Sequence, residues 1–138
     1  MVITLTSRKG GVGKSSAAAH LAAEFLAMGQ SVALIDADIE ERSLVSWGDM
    51  GDGILAAIVT PADTDEPAAF KKIIDEAKER ADIVIIDTPP SHADAAILSA
   101  GLSDIAVIPV GASPLEVRAA KNTSELIETV QEHRGGLP

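Results

Sequence analysis

The stretch that decides the fold is "TSRKGGVGKSSAAAHLA" at residues 6–22. Three of its glycines, Gly10, Gly11 and Gly13, lie between an aliphatic run and a run of small, helix-forming residues. Glycine permits positive φ angles, so the backbone N–H groups of such a loop can turn inward around an anion. The N-terminus of the following helix adds a partial positive charge. The stretch therefore predicts a phosphate-binding loop between a strand and a helix.

Polar side chains around these glycines define the site more closely. In a phosphate-binding loop of this pattern, Lys14 reaches the outer phosphates of a nucleotide and the Ser15 hydroxyl can bind Mg²⁺. A second lysine, Lys9, precedes the glycines, and Arg8 occupies the place of the usual first glycine. We expect the nucleotide to be held by Gly10, Gly11, Val12, Gly13, Lys14, Ser15 and Ser16.

Short aliphatic runs along the chain have the pattern of buried parallel strands. They are "VITLT" (2–6), "SVALID" (31–36), "DIVIID" (82–87) and "DIAVIPV" (104–110), with "ILAAIVT" (54–60) as a weaker candidate. Apolar residues at helical spacing predict helices over 18–25, 70–77, 92–100 and 119–130. Helix ends are expected at Gly29, Gly101 and Gly135–Gly136. This alternation predicts an α/β fold: a doubly wound, mainly parallel sheet with helices on both faces.

Three aspartates lie where two of these strands end. Asp36 and Asp38 come at and just beyond the second strand, and alternation puts both on one side of the chain. Asp87 ends the strand at residues 82–87. Ligands of such sheets bind at the carboxyl ends of the strands, and carboxylates there fit a metal-assisted phosphate site. We therefore expect the aspartates to lie beside the glycine loop.

The loop "KGGVGKS" (9–15), with "LIDADIEE" (34–41), "IVIIDTPP" (83–90) and "IPVGASPLEVRAA" (108–120), resembles the ParA/MinD family of deviant Walker ATPases. The likeness is strongest to the small ParA-type plasmid and chromosome partition ATPases. It covers essentially the whole chain. The resemblance implies a P-loop NTPase fold, binding of ATP and Mg²⁺, and slow hydrolysis of ATP to ADP and phosphate.

The resemblance also implies a role for each catalytic candidate, which are Lys9, Lys14 and Asp38. Lys14 would bind the nucleotide of its own subunit. Lys9 would be the signature lysine, which crosses the interface of an ATP-sandwich dimer to the nucleotide of the partner. Asp38 would position the attacking water. The two lysines would thus serve two different nucleotides.

The Mg²⁺ site implied by the resemblance consists of Ser15, Asp36 and Asp87, with Asp87 acting through a water molecule. The following "TPPS" (88–91) would sense the outer phosphate. The chain departs from the family after Asp38, because Asp38-Ile39-Glu40 stands where Asp-Pro-Gln is common. We expect this departure to affect the rate and the switch geometry rather than nucleotide binding.

Two further residues are given structural interpretations. Trp47, in "LVSW", is expected to anchor the segment that follows Asp38. Glu116 replaces an aspartate of the family's Ser-Pro-Leu-Asp segment, for which we expect a tight strand-to-helix turn beside any dimer contact.

Composition limits the partners and the compartment. The 138 residues carry a formal net charge of −10 and no cysteine or tyrosine. An acidic chain repels the DNA backbone, so its charge does not favour nonspecific DNA binding. Iron–sulfur scaffold proteins that share this loop need cysteines, and the tyrosine kinases that share it need tyrosines, so the lack of both residue types argues against both classes. No segment has the about 18 consecutive apolar residues of a membrane span, so we expect a cytoplasmic protein without a membrane partner.

The leading hypothesis is a partition ATPase that forms a homodimer when ATP is bound and acts through a ParB-like centromere-binding adaptor. One alternative is a MinD-like positioning ATPase, which needs a basic amphipathic helix, whereas residues 115–133 carry several acids. Another is a truncated nucleotide-binding or dimerisation module with little hydrolysis. Members of the family are usually longer. Residues 1–138 are therefore expected to be one P-loop ATPase domain, either a natural minimal form or one shortened at its C-terminus.

Overall fold

The computed structural model describes residues 1–7, 9–11, 13–51, 53–90 and 92–133, without the side chains of Ala56 and Gln131. Several predictions fall outside these ranges. They concern Val12 in the glycine loop, Ser91 in the phosphate-sensing segment, and the helix end at Gly135–Gly136.

Five parallel strands form one sheet with the order β3-β2-β4-β1-β5. They are β1 (Val2–Leu5), β2 (Val32–Asp36), β3 (Val59–Pro61), β4 (Ile83–Asp87) and β5 (Ile105–Val107). The register places Leu5 of β1 and Asp36 of β2 on either side of Asp87 in β4. The carboxyl ends of the three central strands therefore meet at one edge of the sheet.

Helices connect these strands in the order that a doubly wound sheet requires. They are α1 (Lys14–Ala27), α2 (Ser43–Met50), α3 (Ile54–Ile58), α4 (Pro67–Arg80), α5 (Ala93–Gly101) and α6 (Pro114–His133). Gly29 follows α1 with a φ of 80°, a left-handed conformation that suits the predicted end of this helix. In the described part of the chain, no helix has both the length and the apolar character needed to cross a bilayer.

The helices cover both faces of the sheet, as the strand pattern predicts. Side chains of a strand alternate between the faces. In β4, Val84 and Ile86 pack in a core with α4 and α5, whereas Ile83 and Ile85 pack in a second core with α1, α2 and α3. Helix α6 lies against α5. The predicted α/β fold class is confirmed.

The run at residues 54–60 differs from its prediction as a strand. Residues Ile54–Ile58 form α3, and the strand β3 begins only at Val59. Periodicity alone cannot distinguish a short apolar strand from a helical turn, and Leu and Ala favour the helix. Gly53 precedes α3 with a φ of 91°, which turns the chain into that helix. Helix α2 has no counterpart among the predictions, and β5 ends at Val107, short of residue 110.

The packing of α4 on the sheet gives a stability prediction. Phe70 is fully buried in the core between α4 and the sheet. We expect Phe70→Ala to lower the free energy of unfolding by about 3–5 kcal/mol, because the cavity adds to the lost apolar burial. Ile74→Val, at a buried position of the same helix, should cost about 1 kcal/mol. Urea unfolding measures both, with the exposed Lys72→Ala as control; equal stability of Phe70→Ala and wild type would contradict the packing.

Candidate functional site

A cavity of about 210 Å³ lies at the carboxyl edge of the central strands. Six of the predicted nucleotide-binding residues line it: Gly10, Gly11, Gly13, Lys14, Ser15 and Ser16. Asp38 lines it from the segment after β2, and Pro90 from the segment after β4. A Cβ placed on Gly10 would lie 3.7 Å from the Cβ of Pro90, so the loop and the end of β4 are in close contact. The structure thus brings together residues far apart in sequence.

Glycine backbone geometry shapes the loop. Gly11 and Gly13 have φ angles of 73° and 87°, which L side chains adopt only with strain. Gly13 lies immediately before α1, and no side chain in the described residues caps the first turn of this helix. The first turn also contains no acidic residue. Its amide groups and its partial positive charge are therefore available to bind an anion.

Lys14 is a buried cation at this helix start. It is only 6 % exposed, and burial lowers the pKa of its ammonium group. The negative charges of Asp87, Asp38 and Glu41 oppose this shift. A cation that has lost its water shell is stabilised by oxygen anions, and bound phosphate would supply them. The position of Lys14 fits the phosphate contact that the loop motif predicts.

Ser15 and Asp87 connect the start of α1 to the end of β4. The Ser15 hydroxyl donates a hydrogen bond to Asp87 Oδ2 at 2.5 Å. The second carboxylate oxygen, Oδ1, is buried without a hydrogen-bond partner among the described residues. Burial raises the pKa of Asp87 to about 6; the hydrogen bond from Ser15 opposes the rise and the charge of Asp36 adds to it. Asp87 therefore has a buried, unused acceptor atom on the carboxylate that Ser15 contacts.

The donor set fits Mg²⁺. Among the described residues, no three or more His, Cys, Asp or Glu side chains are grouped so as to hold a metal ion. Mg²⁺ usually takes only one or two protein ligands and completes its shell with substrate phosphates and water. A serine hydroxyl with a carboxylate behind it meets that need, and the unpaired Asp87 Oδ1 can accept a hydrogen bond from a metal-bound water.

Asp36 is fully buried and connects β2 to α2. Its Oδ1 accepts the Asp38 N–H at 3.3 Å, and its Oδ2 accepts the Val45 N–H at 3.1 Å. Burial raises the pKa of Asp36, and these backbone hydrogen bonds oppose the rise. Both oxygens thus orient backbone segments. The role of Asp36 in a Mg²⁺ shell stays a prediction.

Asp38 lies closer to the cavity than Asp36 does. It is 9 % exposed, and its Oδ1 accepts the Glu41 N–H at 3.2 Å. Both carboxylates lie close enough to Asp87 for their negative charges to raise its pKa. Only Asp38 among them lines the cavity.

Lys9 lies apart from the cavity that holds Lys14. Its Nζ is 3.2 Å from Glu116 Oε1 at the start of α6, and this contact lowers the pKa of Glu116. Both residues border a separate, smaller cavity that Pro109 also lines. A Cβ on Gly111 would lie 1.9 Å from Glu116 Oε2, so only glycine at residue 111 lets the Glu116 carboxylate keep this position. The two lysines of the loop thus have different environments.

Several lining residues are missing from the predicted set. Glu41, Ser43 and Trp47 border the cavity because α2 returns over the glycine loop. Trp47 was expected as a structural anchor, yet it is 37 % exposed and faces the cavity. The only sequence signal for these residues is their closeness to Asp38, since α2 itself was not predicted.

The fold and this site define a P-loop NTPase. A family model described as "ParA: NUBPL iron-transfer P-loop NTPase" matches residues 1–53, which contain the glycine loop and both aspartates of the β2 end.

Two curated proteins are similar over nearly the whole chain. The maintenance of carboxysome distribution protein A of Gloeobacter kilaueensis is 34 % identical over 140 residues, covering 99 % of this chain and 57 % of that protein. The chromosome-partitioning ATPase Soj of Thermus thermophilus is 29 % identical over 160 residues, covering 98 % of this chain and 63 % of Soj. The chain therefore spans less than two thirds of the length of these relatives.

A solved structure shares the fold. The MinC:MinD cell division protein complex of Aquifex aeolicus matches with a TM-score of 0.75 at 24 % identity, covering 94 % of this chain and 64 % of the matched chain. Residues 1–53 therefore match the ParA family of P-loop NTPases, and the relatives that are similar over nearly the whole chain include a chromosome-partitioning ATPase and a carboxysome distribution protein.

Burial of Asp87 gives a pH prediction. With metal removed by EDTA, the folded state binds a proton at Asp87 below about pH 6, whereas an unfolded aspartate releases it near pH 4. The wild type should therefore lose stability relative to Asp87→Asn as the pH rises from 4 to 6, by up to about 3 kcal/mol. Urea unfolding across this range measures the difference, with the exposed Asp49→Asn as control. Parallel pH profiles of wild type and Asp87→Asn would contradict the burial argument.

Proposed function

We propose that the chain is a Mg-ATP-dependent ATPase domain that alternates between a monomer and an ATP-sandwich homodimer, and that its slow hydrolysis resets this switch. The observation that carries the proposal is the convergence of Lys14, Ser15, Asp38 and Asp87 around or beside one cavity. A cation, a helix N-terminus, a hydroxyl and carboxylates at that edge are the parts that phosphoryl transfer requires.

Binding of the phosphates is assigned to the glycine loop. The backbone amides of the glycine loop would surround the phosphate oxygens. These oxygens would also replace part of the carboxylate charge that now surrounds Lys14. When bound, Mg²⁺ neutralises phosphate charge during the transfer. Ser15 would contribute its hydroxyl to the ion, and Asp87 would orient a water of the shell through its unpaired Oδ1.

Positioning of the attacking water is assigned to Asp38. This carboxylate lines the cavity and is held by the N–H of Glu41, so one oxygen has a fixed direction. Phosphoryl transfer depends mainly on positioning and charge stabilisation, and a strong base is not required. Asp38 would therefore act by orienting the water through a hydrogen bond.

The proposed dimer depends on Lys9. Its ammonium group is exposed and paired with Glu116 outside the cavity of its own subunit. An exposed ion pair contributes only about 0–1 kcal/mol, so little free energy opposes its exchange for a more highly charged phosphate. This weak pairing supports a role for Lys9 at the nucleotide of a partner subunit.

The cellular role is proposed from the relatives. One is named for chromosome partitioning and another for carboxysome distribution, so the shared task is the positioning of a large cargo. We propose such a role for this chain, exerted in the cytoplasm through an adaptor of the ParB type. The net charge of −10 favours an adaptor over direct binding to DNA, because an acidic surface repels phosphates.

Exchange of each lysine tests the binding and dimer proposals. Lys14→Ala should weaken Mg-ATP binding about 100-fold, because it removes charge-assisted hydrogen bonds to phosphate. Lys9→Ala should bind Mg-ATP normally but stay monomeric. Calorimetry measures affinity, and light scattering on a size column measures mass with no nucleotide, with Mg-ADP and with Mg-ATP. Lys72→Ala, on α4, is the matched control.

Two results would refute parts of this proposal. Unchanged affinity in Lys14→Ala would exclude the glycine loop as the nucleotide site. ATP-dependent dimers of Lys9→Ala would exclude the role of this lysine at the partner subunit.

Hydrolysis is tested separately through Asp38. Asp38→Asn preserves the size of the side chain but weakens its ability to orient a water, so phosphate release should fall at least about tenfold with Mg-ATP affinity maintained. Release of phosphate from Mg-ATP by wild type, by Asp38→Asn and by the exposed control Asp49→Asn measures this. A wild type that binds Mg-ATP and releases no phosphate would instead identify a binding module without hydrolysis.

A further inference from the structure

Trp47 forms an aromatic wall of the candidate nucleotide cavity. It is the only tryptophan of the chain, and the chain has no tyrosine. Of the two phenylalanines, Phe70 is fully buried and Phe25 packs against a core cluster. Trp47 is not among the residues that form or flank the hydrophobic clusters of the described chain, and it is 37 % exposed. A large aromatic side chain has thus been left outside the core, facing the cavity.

Helix α2 holds this ring in place. Leu44 and Gly48, four residues apart, form the buried face of the helix, while Ser43 and Trp47, also four apart, line the cavity. The N–H of Val45 donates to the buried Asp36 carboxylate, which fixes the first turn of α2 to the end of β2.

The turn before α2 adds a second constraint. Arg42 precedes the helix with a φ of 49°, a left-handed conformation that is unfavourable for a residue with a side chain. The turn is held by the Asp38 carbonyl, which accepts the Arg42 N–H at 2.8 Å. Trp47 therefore stands on a helix whose start is fixed by Asp36 and Asp38, at the same edge as the glycine loop.

The residues that line the cavity differ in charge between the glycine loop and α2. Lys14 and the amides of the glycine loop favour phosphate on one side. On the α2 side, Glu41 is acidic and would repel phosphate, whereas the indole of Trp47 has a flat, uncharged face. Aromatic faces stack on nucleobases, and stacking tolerates any base.

We propose that Trp47 stacks on the base of the bound nucleotide and so supplies affinity without selecting the base. This inference rests on the proposed nucleotide binding. It adds a binding residue on α2 to a site otherwise composed of phosphate and metal contacts. Because every base has an aromatic face, ADP and GDP should benefit from Trp47 to a similar extent.

A comparison of Mg-ADP with Mg-pyrophosphate tests the proposal, because the two ligands share a diphosphate and only one has a base. Calorimetry on the full 138-residue chain should show Mg-ADP binding about tenfold weaker in Trp47→Ala, with Mg-pyrophosphate affinity unchanged. Trp47→Phe, which keeps an aromatic face, should lose less. Met50→Ala, at an exposed position of the same helix, should equal wild type. Mg-GDP should follow Mg-ADP.

Fluorescence of wild type provides a readout that needs no variant. Since Trp47 is the only tryptophan, its emission should change on saturation with Mg-ADP and stay unchanged with Mg-pyrophosphate. Equal changes with both ligands would overturn the proposal, and so would the absence of a change with saturating Mg-ADP. This fluorescence measurement remains decisive if Trp47→Ala does not fold.

The outcomes separate this inference from the proposed function. Wild type that binds neither ligand would defeat nucleotide binding itself, and the stacking proposal with it. Wild type that binds both, with Trp47→Ala unchanged for both, would overturn stacking and leave the nucleotide site intact. If Trp47→Ala lowers the affinity for both ligands equally, the indole contacts the phosphates, and the stacking proposal is overturned.

Discussion

The buried carboxylate of Asp87 is the constraint on which the site depends. The parallel register sets it between the last residues of β1 and β2, where burial and the charge of Asp36 disfavour its ionised form. The hydrogen bond from Ser15 and the positive charge of Lys14 both favour the ionised form of Asp87. The start of α1 is thus bound electrostatically to the end of β4. Ionisable groups of both signs are thus buried together at this edge of the sheet, an arrangement that is common in functional sites.

Residues of the same type have different environments in this site, although they are close together in the sequence. Asp36 and Asp38 are two residues apart, yet Asp36 accepts backbone N–H groups on both oxygens while Asp38 lines the cavity. Lys14 is buried at the helix start, whereas Lys9 is exposed and paired with Glu116. Gly11 and Gly13, both with positive φ angles, lie between these two lysines in the chain.

Local patterns predicted the sheet and most of the glycine-loop residues that line the cavity. Strand β4 is an unbroken aliphatic run because both of its faces are buried, and the loop from Gly10 to Ser16 carries its chemistry in its spacing. Helix α2 and the position of Trp47 at the cavity were not predicted, because an eight-residue helix is too short to show a clear apolar periodicity. The run from Ile54 was assigned to a strand because its apolar residues fit either structure.

The sequence by itself determined the parallel α/β fold, the glycine loop between β1 and α1 and the aspartates at the strand ends, since each depends on residues close together in the chain. Tertiary structure alone decided the contact between Lys9 and Glu116, which are 107 residues apart, and that between Ser15 and Asp87, which are 72 apart. It also turned Trp47 toward the cavity. These contacts depend on strand order and helix docking, and no local spacing encodes either.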